Sequence, residues 1–377
     1  MIIDKKIHIL HIVSGDLWAG AEVQLFTLAK KLKDNPLTRI SVVILNYGRL
    51  EQQLRQIGIE VIVLDESELN GFKILIQLIR IIHALRPDVI HSHRNKENIL
   101  GSIGALINGN IPCLRTAHGA PEHIAAWHNL PKRLIYFLDW ICGRFLQRKI
   151  IAVSEDLVTM LKKDYPLEKI QVIENGVDLD AIDKYVANSC LKPVTEMDAL
   201  KIGIAGRLVQ VKRVDVFIKT ARYILDHCSG LKAKFYIFGD GPLRNELEQL
   251  SHDLKTEASV VFEGHCDNML EKIRAIDVLL LTSDHEGLPM ILLESMALGT
   301  PVIAHAVGGV PNLLDQGTCG ILVNEQAASA YAHAINDYAT DNQKKSNVIK
   351  EAANRVEEKY SAKSNAQAYY TQYLSML

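Results

Sequence analysis

A chain of 377 residues exceeds what one hydrophobic core ordinarily serves, so two domains of roughly 150 to 200 residues each are expected. Lys plus Arg number 42 against 44 Asp plus Glu, a near balance that lacks the basic field of a nucleic-acid binder and favours a small anionic or neutral ligand. Six cysteines without a CxxC pair, an opening MIIDKKIHIL with neither apolar core nor small-residue cleavage site, and no apolar run of about 18 residues point to a reduced, cytoplasmic protein that does not span a membrane.

Short β-branched runs alternate with longer segments of helical period, the pattern of βαβ units feeding a parallel sheet. The first series of strands reads IHILHIV, ISVVIL, IEVIVL, DVIHSH, PCLRTA, KIIAV and IQVIEN. A glycine-containing loop and the helix AEVQLFTLAKKLK follow the first strand. Gly20 permits close backbone approach there, and the helix start at Gly20 and Ala21 offers amides to a phosphate. The loop is not a GxGxxG fingerprint and gives nicotinamide binding no support. The apolar segment FKILIQLIRIIHAL is broken by Lys73, Gln77 and Arg80. His118, in LRTAHGA, follows a strand end, and His93, in IHSHRNKEN, suits either an acceptor contact or a structural hydrogen bond. Residues 127–149 set Trp127, Tyr136, Phe137, Trp140 and Phe145 beside Lys132, Arg133, Arg144, Arg148 and Lys149. That composition fits an anionic membrane surface, and equally a helix packed on the sheet with a solvated basic side. In VIENGVDLDAI, Asn175 to Asp178 read as a turn between the domains.

The second series begins after NSCLKPVTEMD, with strands LKIGIAG, KAKFYIFG, ASVVFEG, DVLLLTS, PVIAHA and GILV. Two successive Rossmann-like domains joined near 178–198 follow from this count. In IGIAGRLVQVKRVDVFI a strand ends at Gly206, and Arg207 and Lys212 open the next helix. Taken alone, an arginine and a lysine at a helix start more often face solvent than a ligand. VVFEGHCDNML places His265, Cys266, Asp267 and Asn268 after a strand; no second cluster with ligand spacing accompanies His265 and Cys266, so no bound metal is expected. In HEGLPMILLESMALG, Pro289 suits the first turn of a helix that Gly299 closes. Glu286 lies in the preceding loop, and Glu294 sits about 8 Å deeper along the helix axis. Carboxylates so spaced can accept from two separated diols, although glutamates eight apart also arise by chance. The tail from about 343 carries aromatics and leucine on one helical face and must cover another surface.

The stretch EGLPMILLESMALGTPVIA, followed by GGVPNLL, resembles the signature of the family 4 retaining glycosyltransferases, the group 1 enzymes of GT-B fold. The resemblance implies an α/β architecture of two Rossmann-like domains with parallel sheets facing a central cleft. Its expected parts are an acceptor-side domain at 1–185, a nucleotide-sugar domain at 196–356, and a helix at 357–377 that crosses back to the first. Carried to matching positions, it assigns the transferred sugar to Glu286, the ribose to Glu294, and the diphosphate to Arg207, Lys212 and the backbone at Gly206. Amides of Gly287, Leu288 and Pro289's neighbours approach the sugar and diphosphate, and His118 lies against the sugar from the first domain. Gly20 and Ala21 become donor contacts, while Cys266 and Asn268 fall where the family meets the nucleobase. Leu288 and Pro289 replace the commoner Phe and Gly, Ala19 replaces a glycine, and Val211 and Arg213 replace Glu and Gly around the lysine.

The activity so implied moves a sugar from a UDP- or GDP-sugar, with retention and without metal or other cofactor, to a hydroxyl acceptor. The setting is cell-surface polysaccharide, lipopolysaccharide or glycolipid synthesis. A lipid-linked acceptor and peripheral contact with an anionic membrane, at the inner face of the cytoplasmic membrane, are consistent with residues 127–149. A nucleotide-sugar epimerase of the same fold, or a non-catalytic nucleotide-sugar-binding protein, would share the architecture.

Overall fold

All thirteen β-branched runs form strands in the computed structural model, which describes residues 6–16, 18–119, 130–188 and 199–377. The first seven are β1 (Ile7–Val13), β2 (Thr38–Ile44), β3 (Glu60–Val63), β4 (Val89–Ser92), β5 (Cys113–Ala117), β6 (Lys149–Ala152) and β7 (Ile170–Val172). They make one parallel sheet in the order β3-β2-β1-β4-β5-β6-β7. Every residue of β1 is buried because helices cover both faces, as a parallel sheet requires. On one face Ile9, Val13 and Leu114 pack with Leu25 and Leu28 of the helix Gly20–Lys33. On the other, Leu10, Ile12 and Val43 meet Ile74, Leu78 and Ile82 of the helix Gly71–Leu85.

The remaining strands are β8 (Leu200–Ala205), β9 (Ala233–Phe238), β10 (Val260–Gly264), β11 (Val278–Leu281), β12 (Val302–His305) and β13 (Ile321–Val323). Their parallel sheet runs β10-β9-β8-β11-β12-β13. Its core gathers Ile202, Ile204, Phe235 and Leu280 against Phe217 and Ala221 of the helix Val214–His227 and Tyr331 of the helix Ala328–Thr340. In each sheet the strand order reverses once, between β1 and β4 and between β8 and β11. Such a switch point opens a crevice at the carboxyl ends of the strands, because the flanking connections leave in opposite directions.

The chain divides into two compact units, Met1–Gly176 with Ala362–Leu377, and Val177–Ser361. This differs from the boundaries expected at 185 and 357. The helix Leu179–Asn188 belongs to the second unit, and the return begins after the helix Asn342–Lys359. The break lies where it does because Val177 is bridged to Ser361 and its amide donates to the Tyr360 carbonyl at 2.8 Å. The last helix, Ala362–Leu374, buries Ala366, Tyr369 and Tyr373 in the core of the first unit.

The basic and aromatic stretch at 127–149 is divided. Trp127 lies outside the described residues. The helix Leu130–Ile141 continues into a π-helical turn, Cys142–Leu146, and buries Asp139, which pairs with Arg115 at 3.0 Å. Leu134, Phe137 and Phe145 are 58%, 55% and 66% exposed, with Ile135 and Leu138 beside them. The basic side expected here is reduced: Lys149 donates to Gln372 at 2.9 Å and Arg148 to the Met376 carbonyl, so both fasten the last helix. No helix among the described residues is long and apolar enough to cross a membrane.

Candidate active site

In the second unit the switch point is lined by the loops after β8 and β11. Gly206 follows β8 with φ +151°, and the chain then passes through a short 3-10 turn, Gln210–Lys212. Lys212 therefore precedes the helix rather than opening it; the helix Val214–His227 starts only after Arg213, at φ 49°. The loops are stitched by backbone bonds: Leu208 amide to Asp240 carbonyl at 3.0 Å, Asp284 to Val211 at 2.8 Å, and Gly309 to Gly287 at 3.1 Å. Glycine is demanded at two of these approaches. A Cβ on Gly239 would stand 1.9 Å from the Gly206 oxygen, and one on Gly308 would stand 1.8 Å from the Glu286 oxygen.

This stitching brings Lys212 Nζ within 2.6 Å of Glu286 Oε1, with side chains 28% and 10% exposed. A charge-assisted bond of that length fixes both groups. Arg207 is exposed and its side chain has no partner among the described residues. Arg213, by contrast, is saturated, bonded to Asp215 at 2.9 Å and Asp284 at 3.0 Å, and these bonds, that to Asp215 foremost, hold its guanidinium charged. The cation next to Lys212 in sequence thus serves the fold, while Arg207 is exposed and unpaired among the described residues.

Gly287, Leu288 and Pro289 are buried below Glu286. Pro289 caps the helix Met290–Ala297 instead of lying in its first turn, and Gly299 follows its end at φ +72°. Glu294 is the fifth residue of that helix and only partly exposed. Its carboxyl has no partner among the described residues, and burial pushes it up to about 7. A carboxylate so poised gains most from hydroxyl donors. At the end of β10, Cys266 Sγ lies 3.4 Å from the Gly264 carbonyl, and burial raises its thiol. Asn268 caps the helix Met269–Arg274 and donates to Glu271 at 3.2 Å. Ser283, which the motif reading passed over, has a buried hydroxyl without a partner among the described residues, beneath the same loop.

In the first unit the corresponding switch point lies between β1 and β4. Gly20 and Ala21 begin the helix Gly20–Lys33, so their amides have no intrahelical acceptor. Glu22 is fully buried and binds Arg94 at 2.5 Å; burial raises its carboxyl and Arg94 opposes the rise. Arg94 also reaches Asp16 at 3.2 Å.

Behind these residues lie four imidazoles of which the motifs singled out only two. His11 and His91 are register partners on β1 and β4, so with His93 two residues on they share one face. Thr116 and His118 follow Leu114, the partner of His91 on β5, on that same face. His11 Nδ1 lies 3.2 Å from His93 Nε2, and His93 Nδ1 lies 3.2 Å from His118 Nε2. His91 spends both nitrogens on hydroxyls, Tyr373 at 2.7 Å and Thr116 at 2.8 Å. Burial lowers His11 to about 3 and His118 to about 4, and holds His91 and His93 well below the usual range, so all four rings are neutral at neutral pH. Nitrogens of His11, His91 and His93 come within 4.8 Å of one another. They do not converge as ligands would, because His91 is fully bonded and its ring stacks on His93 at 4.3 Å between centroids.

Comparison with known proteins identifies the architecture. Residues 18–181 match the model described as Glycosyltransferase Family 4, and residues 192–355 the model described as Glycosyl transferases group 1. Over 344 residues the chain is 26% identical to the UDP-Gal:alpha-D-GlcNAc-diphosphoundecaprenol alpha-1,3-galactosyltransferase of Escherichia coli, covering 88% of this chain and 87% of that one. Over 295 residues it is 26% identical to the N-acetyl-alpha-D-glucosaminyl L-malate synthase of Bacillus anthracis, covering 77% and 75%. Among solved structures, Anabaena HepE in complex with UDP-glucose superposes with a TM-score of 0.83 at 22% identity, over 98% of this chain and 100% of that one. The two parallel switch-point sheets are those of the GT-B fold, and the chain belongs to the group 1, family 4 glycosyltransferases.

Proposed function

We propose that the protein transfers a sugar, with retention and without a metal ion, from a UDP- or GDP-sugar to a hydroxyl acceptor in the synthesis of a cell-surface polysaccharide, lipopolysaccharide or glycolipid. The observation that carries this reading is the Lys212–Glu286 pair at the β8/β11 switch point, with an unpartnered Arg207 and a proton-poised Glu294 around it. Arg207, Lys212 and the backbone at Gly206 take the diphosphate, whose charge grows as the glycosidic bond to the leaving group breaks. Glu286, already oriented by Lys212, accepts from hydroxyls of the transferred sugar, together with amides of Gly287 and Leu288 beside Pro289. Glu294 accepts from the ribose hydroxyls, which favours its ionised form over the protonated one. The backbone at Cys266 and Asn268 meets the base. In the first unit, Gly20 and Ala21 offer helix-start amides to a donor phosphate, and His118 offers an imidazole to a sugar oxygen.

The departing diphosphate oxygen is the base that takes the proton of the incoming hydroxyl on the same face of the sugar, so no separate general base is required. The E. coli relative is named for an acceptor sugar linked to diphosphoundecaprenol, which supports a lipid-linked acceptor here. The exposed Leu134, Phe137 and Phe145 support seating the first unit on the inner face of the cytoplasmic membrane.

A thermal-shift panel of nucleoside diphosphates tests the donor site, because a ligand that binds only the native state raises the midpoint. UDP or GDP should shift it in the presence of EDTA, and the matching nucleotide sugar should then be consumed only when acceptor is added. Consumption without acceptor would indicate an epimerase, and tight binding without turnover a binding protein; either ends the reading.

A further inference from the structure

We infer that His93 is a positioning residue: as the middle link of an imidazole chain from His11 to His118, it makes His118 a hydrogen-bond donor through Nδ1. Both links are 3.2 Å between nitrogens, and both ring pairs have centroids 5.5 Å apart, the span of two ring radii plus one hydrogen bond. The rings therefore meet end to end. A neutral imidazole has one N–H and one lone pair, so the two links must point the same way along the chain. Arg94 lies beside His93 and His118 and opposes an added proton on either, which keeps the chain neutral.

The far end decides the direction. His11 is fully buried and its Nε2 has no partner among the described residues. Were the links to run from His118 inward, that nitrogen would be a buried donor without an acceptor. Run outward, it is a bare lone pair, and unpaired buried donors are the rarer defect. His91 cannot relieve it, since Tyr373 and Thr116 occupy both its nitrogens. The outward order gives His11 Nδ1–H to His93 Nε2, then His93 Nδ1–H to His118 Nε2. The proton of His118 is thereby left on Nδ1, the reverse of the Nε2–H tautomer that an unconstrained histidine side chain prefers in water. His118 is the partly exposed member of the four, at the end of β5. What its Nδ1–H meets rests on the function proposed above, a sugar oxygen; the tautomer itself does not.

Long-range proton–nitrogen correlation spectra of the full-length protein, labelled with nitrogen-15 histidine and assigned with His118→Asn, report the tautomer directly. The expected result at neutral pH is Nδ1–H on His118 in the wild type and in His93→Asn, whose amide nitrogen takes the place of Nδ1. His93→Phe, which keeps the planar shape but no donor, should return His118 to Nε2–H. It should also lower kcat about tenfold with KM for the donor within about twofold, and His93→Asn should recover most of that loss. A wild-type His118 carrying its proton on Nε2 overturns the inference, and that spectrum decides it even if His93→Phe does not fold. Should the tautomer be as expected while His93→Phe turns over like the wild type, the chain stands and the place of His118 at the sugar falls.

Discussion

Lys212 and Glu286, 74 residues apart, are joined by a 2.6 Å ion pair across the point where the second sheet reverses its strand order. Lys212 comes from the connection after β8 and Glu286 from that after β11, so the pair exists only because those strands are neighbours. On the function proposed above, a diphosphate bound there would meet a lysine already oriented by its carboxylate partner.

Replacing Lys212 by Met removes the cation and leaves Glu286 without its partner. The expected outcome is a 10²- to 10³-fold loss of kcat for transfer, the usual cost of removing one group aimed at developing charge. Glu286→Gln should lose a comparable factor. Initial-rate measurements check both, and a variant within threefold of wild type would remove Lys212 from the leaving-group site.

Arg207 and Arg213 separate binding from folding. Arg207→Ala should weaken nucleoside diphosphate binding at least tenfold while leaving the unliganded Tm within about 1 °C. Arg213→Ala removes the guanidinium that Asp215 and Asp284 share, leaving them only Lys219 and Gln326, and should lower stability by about 1 kcal/mol. Calorimetric titration and thermal unfolding of the two variants tell the roles apart; equal effects on binding would contradict the division.

Glu294 makes stability depend on pH. Its carboxyl binds a proton more tightly folded than unfolded, rising from 4.5 to about 7, so the native state gains from protonation. Stability is therefore highest below the unfolded value, falls as pH rises from about 4.5 to about 7, and levels off above. Glu294→Gln should be more stable than wild type at pH 8, by up to about 3 kcal/mol, with most of the difference gone at pH 5. Denaturant unfolding at the two pH values measures it. The same variant should bind donor more weakly, since an amide accepts less strongly than a carboxylate. A wild type whose stability rises between pH 5 and pH 8 relative to the variant would reverse the assignment.

Tyr373 carries the last helix to the histidines. Tyr373→Phe leaves His91 Nδ1 buried without its 2.7 Å partner and should cost about 1 to 3 kcal/mol of stability. Deleting 362–377 removes Ala366, Tyr369, Tyr373 and Met376 from the core of the first unit and should abolish its folding. An active truncated enzyme would contradict the structural role of this helix.

The exposed apolar face of the helix Leu130–Ile141 predicts vesicle binding. Leu134→Ser, Phe137→Ser and Phe145→Ser together should abolish co-sedimentation with anionic vesicles without changing Tm, because these side chains are already in water. Failure of the wild type to bind at low salt would take the membrane out of the account.

The strands were legible because their signal is local. Runs such as VVFEG and VLLL are rich in β-branched and leucine residues and bounded by glycine or polar turns, and a fully buried parallel strand needs nothing else. Pro289 and Gly299 marked the helix carrying Glu294 for the same reason, since capping is a property of a few consecutive backbone groups. Glycines in the GGVP segment follow from a contact 22 residues away, and only the structure shows that Gly308 meets the Glu286 oxygen.

Strand order is not local. His11 and His91 stand 80 residues apart, and nothing in either segment says that β1 and β4 are neighbours. Which of Arg207 and Arg213 is spent on the fold, and that Arg148 and Lys149 fasten the last helix instead of facing a membrane, likewise depended on partners brought together by tertiary packing. Periodicity and turn chemistry determined the elements and their caps. Burial determined the charge states of Glu294 and the histidines, because desolvation is a property of everything packed around a group and not of its neighbours in the chain.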